Sequence, residues 1–262
     1  MTISNVFAFD IETVPDVEFG RKLFGLDGLS EKQIGYVMQT RQREQTGSEF
    51  LSLEQQRVVA ISVAMRTREG FKAWSLGEPD STEAELVRRF FDGIERYSPT
   101  LVSWNGSGFD LPVLHYRALR HRVQAHRYWE MGDEDQSFRW NNYISRFHWR
   151  HIDLMDVLAG FQGRGRVGLD RMAQLLGLPG KLGMSGEGVW EAHLEGRSED
   201  IRNYCETDVI NTYLIYLRFE LMRGRLTHEE HEREVELVRA GLRHAEKPHL
   251  QEYLEAWTKC GS

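Results

Sequence analysis

The sequence predicts an α/β fold, a mixed sheet that is antiparallel at first and parallel later, flanked by helices and followed by a helical extension. Three observations carry this expectation. An early apolar strand and two tandem β-rich runs at 58–65 and 71–74 precede any strand–helix alternation. From Thr82 onward helical and strand patterns alternate, as they do where parallel strands are joined by crossover helices. Beyond residue 200 only helical periodicity is found.

Val6 to Pro15 opens the chain as a buried strand that ends in two acids, Asp10 and Glu12. Residues 16–56 are polar and interrupt the β pattern, with Ser30…Gln33 and Ser52…Gln55 as capping-box signatures. They predict one or two helices laid over the edge of the fold, as a lid, a substrate wall or a structural cover. Val58–Met65 and Phe71–Trp74 pair across the turn at Glu69-Gly70. Thr82…Glu85 caps a helix whose apolar face is Leu86, Phe90, Phe91, Ile94 and Tyr97, and Ser98-Pro99 stops it. Leu101–Trp104 reads as a strand, Phe109 to about Arg120 as a helix, Ile152–Leu154 as a strand, and Leu169–Leu176 as a short helix ended by Gly177. A periodic helix follows from Ile201 to about Met222, then two helical patterns split at Pro248. The expected organisation is a domain over 1–225, with 16–56 as a helical insertion, and a C-terminal helical extension over 226–262 packed on it.

A chain of 262 residues is long enough for one sizeable core. No apolar run approaches the roughly 18 residues of a membrane span, and the N-terminus lacks the charged head of a signal peptide. Cys205 and Cys260 form neither a disulfide framework nor a metal-binding spacing. The expectation is a cytoplasmic protein without membrane contact. The net charge of −7 argues against a general polyanion binder. Any nucleic acid would have to be met by a local basic groove and a metal-neutralised site.

Three stretches carry candidate chemistry. A strand puts residues i and i+2 on one face, so Asp10 and Glu12 point together, away from Phe7, Phe9 and Ile11. Two adjacent buried acids repel each other, and hard divalent cations take carboxylate oxygens. Taken alone, the pair is equally compatible with a strand ending in solvent. In Ser103-Trp104-Asn105-Gly106-Ser107-Gly108-Phe109-Asp110 two glycines turn the chain sharply from strand to helix. Open α/β sheets place ligand sites at such turns; Asp110 alone would also suit the helix dipole. In the late helix, Tyr204 and Asp208 lie i, i+4 on a side shared with Ile201, Cys205 and Thr212. Asn203, Glu206 and Asn211 point elsewhere. An acid turned to an apolar side needs a partner, a salt bridge or a metal.

Together, Phe9-Asp10-Ile11-Glu12-Thr13, Trp104-Asn105 through Phe109-Asp110, and Tyr204 through Asp208 resemble the three motifs of DEDD-type 3′–5′ exonucleases. The likeness is to the proofreading domain of family B DNA polymerases and to free-standing exonucleases related to it. It spans most of residues 6–220, in order. The aromatic four residues before the last aspartate, Tyr204, resembles the tyrosine (DEDDy) branch; the histidine branch has its histidine where Asn203 stands. The resemblance implies an RNase H-like fold and catalysis by Asp10, Glu12, Asp110, Tyr204 and Asp208. The four acids would hold two Mg²⁺ or Mn²⁺ ions, with Asp10 bridging both, and Tyr204 would orient the attacking water. Thr13, Trp104, Asn105 and Phe109 match positions beside the terminal nucleotide. The implied activity is release of nucleoside 5′-monophosphates from single-stranded DNA 3′ ends, with repair as its setting. RNA is the alternative substrate, and a non-catalytic nucleic-acid-binding module is the alternative class.

Secondary candidates are weaker. Gly163-Arg164-Gly165-Arg166 and the run Arg117–Arg127 are basic and open to either a groove or a solvated surface. Lys181 is a candidate phosphate contact. His228-Glu229-Glu230-His231 is expected to face solvent, and Asp153 and Asp156 to be structural.

Overall fold

The structure is a computed structural model that describes residues 5–260; residues 1–4 and 261–262, at the outer ends of the expected domain and extension, lie outside the described residues. Five strands, β1 (Val6–Pro15), β2 (Gln56–Thr67), β3 (Gly70–Ser75), β4 (Thr100–Ser103) and β5 (His151–Asp153), form one sheet in the order β3-β2-β1-β4-β5. β1 runs antiparallel to β2, and β2 to β3; β1 and β4, and β4 and β5, are parallel. The mixed sheet flanked by helices therefore matches the architecture expected from the sequence, that of an RNase H-like exonuclease fold.

Alternation along β1 divides the core. Phe7, Phe9 and Ile11 pack with Phe90, Phe91 and Ile94 of α3 (Glu83–Tyr97) and with Leu111 and Leu114 of α4 (Asp110–His121). The rings of Phe9 and Phe90 are 4.9 Å apart. Each such buried side chain contributes on the order of 1.5–3 kcal/mol. Val6 and Ala8 face the other way, toward α9 (Ser198–Met222). Asp10 and Glu12 continue that second face, so the register that builds the core also delivers the acids to α9.

The 16–56 segment forms two helices, α1 (Val17–Phe24) and α2 (Glu31–Thr46). The capping box at Ser30 is present, whereas Ser52 makes no side-chain cap and Leu53–Gln55 is a single 3₁₀ turn. Pro15 pairs directly with Gln56, and the Asp16 N–H donates to the Gln55 carbonyl at 2.8 Å. The excursion thus leaves and re-enters the sheet at one neck. The basic run from Arg117 fastens this neck instead of facing a groove. Buried Arg117 pairs with Asp16 at 2.6 Å and with Glu83, His121 also bonds Glu83, and Arg120 reaches Glu18 at 2.8 Å.

Short helices α5 (His126–Trp129), α6 (Leu154–Leu158), α7 (Leu169–Leu175) and α8 (Val189–Leu194) fill the second half. Asp153 caps α6 and accepts the Asn105 and Ser107 N–H groups; Asp156 pairs with Arg166. Both are structural, as the sequence suggested. Beyond α9, helices α10 (His228–His244) and α11 (Pro248–Cys260) bury Val238, Leu242, Leu250, Tyr253 and Trp257 against α9 and β3. His231 is buried in this packing at 7% exposure, against the expectation of a solvent-facing side chain. It lies one turn into α10 on the side that meets α9. No helix among the described residues is long and apolar enough to cross a membrane.

Candidate active site

Asp10 and Glu12 reach one side of the sheet together, and the Cys205 sulfur from α9 joins them, with ligand atoms of all three within 4.8 Å of one another. The buried thiol donates to the Asp10 carbonyl at 3.4 Å and lies 3.6 Å from its carboxylate. A β-bulge between Glu12 and Thr13 follows. Bulges re-aim side chains beside sites, and the Thr13 hydroxyl is turned to donate to Gln56 Oε1 at 2.9 Å.

Asp110 arrives by a different route. Gly106 lets the chain leave β4 tightly, since a Cβ there would meet Ser103 Oγ at 2.2 Å. Asn105 takes a left-handed φ of 67°. This turn puts Asp110 at the head of α4, where its Oδ1 accepts the N–H of Ile11 at 3.2 Å, between the two β1 acids. From α9 come Tyr204 and Asp208, both buried. Asp208 Oδ1 has no hydrogen-bond partner.

Burial and neighbouring acids disfavour the charged forms of these carboxyls. Burial, then the charges of Asp110, Glu12 and Asp208, push the Asp10 carboxyl well above its ordinary value. Burial, Asp208 and Asp110 do the same to Glu12. Burial pushes Asp110 up to about 7 and Asp208 up to about 6. Lys181 opposes this at both Glu12 and Asp208. Its ammonium lies 5.7 Å from the Tyr204 ring, and its backbone N–H is held by Asp170 at 2.9 Å. Burial, followed by Asp208 and Glu12, raises the Tyr204 phenol far above its usual range, so it stays protonated. Asp110 and Asp208 are not part of the 4.8 Å group of Asp10, Glu12 and Cys205, yet the four buried carboxylates, one with an unpartnered oxygen, form a donor set that would fit hard divalent cations.

The substrate-side candidates are placed unevenly. Trp104 is buried, and its indole N–H donates to the Val167 carbonyl at 3.1 Å, so it backs the turn. Asn105 is tied through its backbone, with its N–H on Asp153 Oδ1 at 3.0 Å. Phe109 is half-buried, with its ring 5.4 Å from that of Phe50, which the 16–56 excursion brings to the site. A cleft of about 640 Å³ opens beside Tyr204, lined by Leu182, Met184, Asn203, Thr207 and His249 among others.

A family model described as "Predicted 3'-5' exonuclease related to the exonuclease domain of PolB" matches residues 48–257. The chain belongs to this family. The match takes in Asp110, Tyr204 and Asp208, while Asp10 and Glu12 precede it. Curated relatives agree with that membership. "DNA polymerase 1" of Sulfurisphaera ohwakuensis is 49% identical over 43 residues, covering 16% of this chain and 5% of the polymerase. "DNA polymerase" of Archaeoglobus fulgidus is 25% identical over 136 residues, covering 51% of this chain and 17% of the polymerase. The chain therefore corresponds to a small part of these polymerases.

Sequence reasoning missed two residues around this cluster, buried Glu206 and exposed Phe50. Glu206 was expected to point elsewhere. It is 1% exposed and held by Lys247 at 2.8 Å, His249 at 2.8 Å and the Ser75 N–H at 2.8 Å. Phe50, inside a polar stretch, gave no signal of its approach to Phe109.

Proposed function

We infer that this protein is a metal-dependent 3′–5′ exonuclease of the tyrosine type that releases nucleoside 5′-monophosphates from single-stranded DNA 3′ ends. The observation that supports this reading is geometric: Asp10 and Glu12 from β1, Asp110 bonded to the Ile11 N–H between them, and Asp208 from α9 with an unpartnered buried oxygen. DNA is favoured because the matched relatives are DNA polymerases.

Asp10, Glu12, Asp110 and Asp208 would hold two Mg²⁺ or Mn²⁺ ions. When bound, such ions supply charge neutralisation at the phosphodiester and a hydroxide nucleophile at neutral pH. The protonated Tyr204 hydroxyl orients the attacking water and does not act as its base. Lys181 offers the site's ammonium to the phosphate. Thr13 and Trp104 brace the turns that carry the acids, while Asn105 and Phe109 meet the terminal nucleotide.

The test uses 5′-labelled single strands of DNA and RNA of one sequence. Stepwise shortening with Mg²⁺ or Mn²⁺, stopped by EDTA, is expected on DNA. Asp10→Ala should lose at least about 10³-fold in rate while remaining folded, as expected where positioning and electrostatics supply most of catalysis. Wild-type rates in that variant would refute the ligand assignment, and faster loss of the RNA would reassign the substrate.

A further inference from the structure

Residues 136–150 contain Arg139, Arg146, Arg150 and His148 and no acidic residue, in a chain whose net charge is −7. Trp140, Phe147 and Trp149 in the same stretch are 80%, 71% and 48% exposed. This is not a loose loop. Tyr143 is buried, donates its hydroxyl to the Pro99 carbonyl at 2.6 Å and stacks on Tyr128 at 5.6 Å. Asn142 Oδ1 accepts the N–H groups of Ile144 and Ser145, and Asn141 Oδ1 accepts that of Trp149. A rigid frame holds large rings out into water, where burial would otherwise favour them.

The strip continues toward the acids. The Phe147 and Phe161 rings meet edge to face at 5.4 Å, and the Arg146 guanidinium lies over both, at 5.6 and 4.6 Å. Residues 161–168, which hold Arg164 and Arg166 and again no acid, run from that contact to Val167, whose carbonyl receives the Trp104 indole N–H beside Asn105. Among the described residues neither Arg139 nor Arg164 forms an ion pair. Arg146 and Arg166 share Asp156, at 3.8 and 2.6 Å, which leaves Arg139 and Arg164 as the charges open to a ligand. Exposed aromatics interleaved with such arginines match the two groups of a single strand, since every base has a face to stack and every phosphate a charge to meet.

We propose that the strip from Trp140 through Phe147 and Phe161 to Arg164 is a docking platform for single-stranded nucleic acid upstream of the 3′ end. The proposal rests on the exonuclease reading for the strand's direction, with the terminal nucleotide at the acids. Protein interfaces also use tryptophan and arginine. A stretch free of acids and joined to the nuclease site favours the polyanion.

The experiment compares a trinucleotide with a roughly 20-nucleotide strand, given to the wild type and to Trp140→Ala/Phe147→Ala/Trp149→Ala. A fluorescein-labelled copy of the long strand is titrated in EDTA to read binding alone. The variant should raise KM for the long strand at least about tenfold, as loss of stacked bases implies, with kcat and the trinucleotide unchanged. Its affinity for the labelled strand should fall in parallel. Arg139→Ala/Arg164→Ala should flatten the salt dependence of binding by about 0.7 per arginine in log–log slope. All five side chains are exposed, so thermal midpoints should hold and serve as the folding control. Equal binding of the long strand by the wild type and both variants would overturn the platform, whatever the hydrolysis result. Weakened binding without hydrolysis in any form would support the platform and sink the exonuclease reading instead.

Discussion

Asp208, a proposed metal ligand, sits buried at a cost to the fold. Its carboxyl sits at about 6 against an ordinary 3.8, mainly through burial. A raised folded value means the acid adds no penalty while protonated and destabilises as pH rises through the folded value. That shift amounts to a few kcal/mol at most, on the order of 3 kcal/mol. Asp208→Asn should therefore abolish hydrolysis yet raise the melting temperature in EDTA, with the gain largest above pH 6 and shrinking below it. An unchanged melting temperature would mean that solvent relieves the charge. Tyr204→Phe removes one oriented hydroxyl and leaves the ligand set, so its rate should fall less than that of Asp208→Ala. Equal damage in single-turnover assays would give the phenol a larger part. Strand alternation and the i, i+4 rule told which side chains share a side, Asp10 with Glu12 and Tyr204 with Asp208, while the grouping of the four acids came only from the resemblance. The burial of Glu206 was not legible. α9 is covered on nearly every side, by the sheet, α8, α10 and α11, so no polar face exists to show which of its charges are buried.

At the scale of elements, the long periodic ones were legible and the short ones were not. α3 announced itself through Thr82 and five apolar positions, and its described bounds follow that pattern. α5, α6 and α8 span four to six residues, too few for a 3.6-residue repeat to show. Arg117 shows what such patterns leave out. In sequence it belonged to a basic run open to a groove or a solvated surface, yet its side chain is 4% exposed between Asp16 and Glu83. Removing one partner of a buried pair strands the others, typically at about 3–5 kcal/mol. Arg117→Met should lose about that much in urea unfolding, and a loss under about 1 kcal/mol would mean the pair is solvated. α10 docks through Gly241, where a Cβ would meet the Phe71 carbonyl oxygen at 2.6 Å. Gly241→Ala should cost about 1–3 kcal/mol by overpacking, read by the same unfolding curves.

For the molecule as a whole, the mixed character of the sheet was readable because an antiparallel meander precedes a strand–helix alternation, while the order β3-β2-β1-β4-β5 came from the structure. How the elements close around the acids was not readable, since it depends on contacts more than a hundred residues apart in sequence, such as Lys247 with Ser75 through Glu206. With Asp110 up at about 7 and Asp208 at about 6, metal-free protein should lose thermal stability as pH climbs from 5 to 7. Mg²⁺ should restore it, most strongly at the upper end. Scanning calorimetry with and without EDTA checks this, and a flat profile in EDTA would contradict the buried cluster. The neck at Pro15 and Gln56 has a consequence for diversification. Because the two chain ends there are already neighbours, the length of what hangs from them hardly changes the entropy of closing the hairpin. Evolution or an engineer is free to swap that appendage, Phe50 included, for one of another size. Asp10 and Glu12 would keep their register, and only the character of the mouth would change.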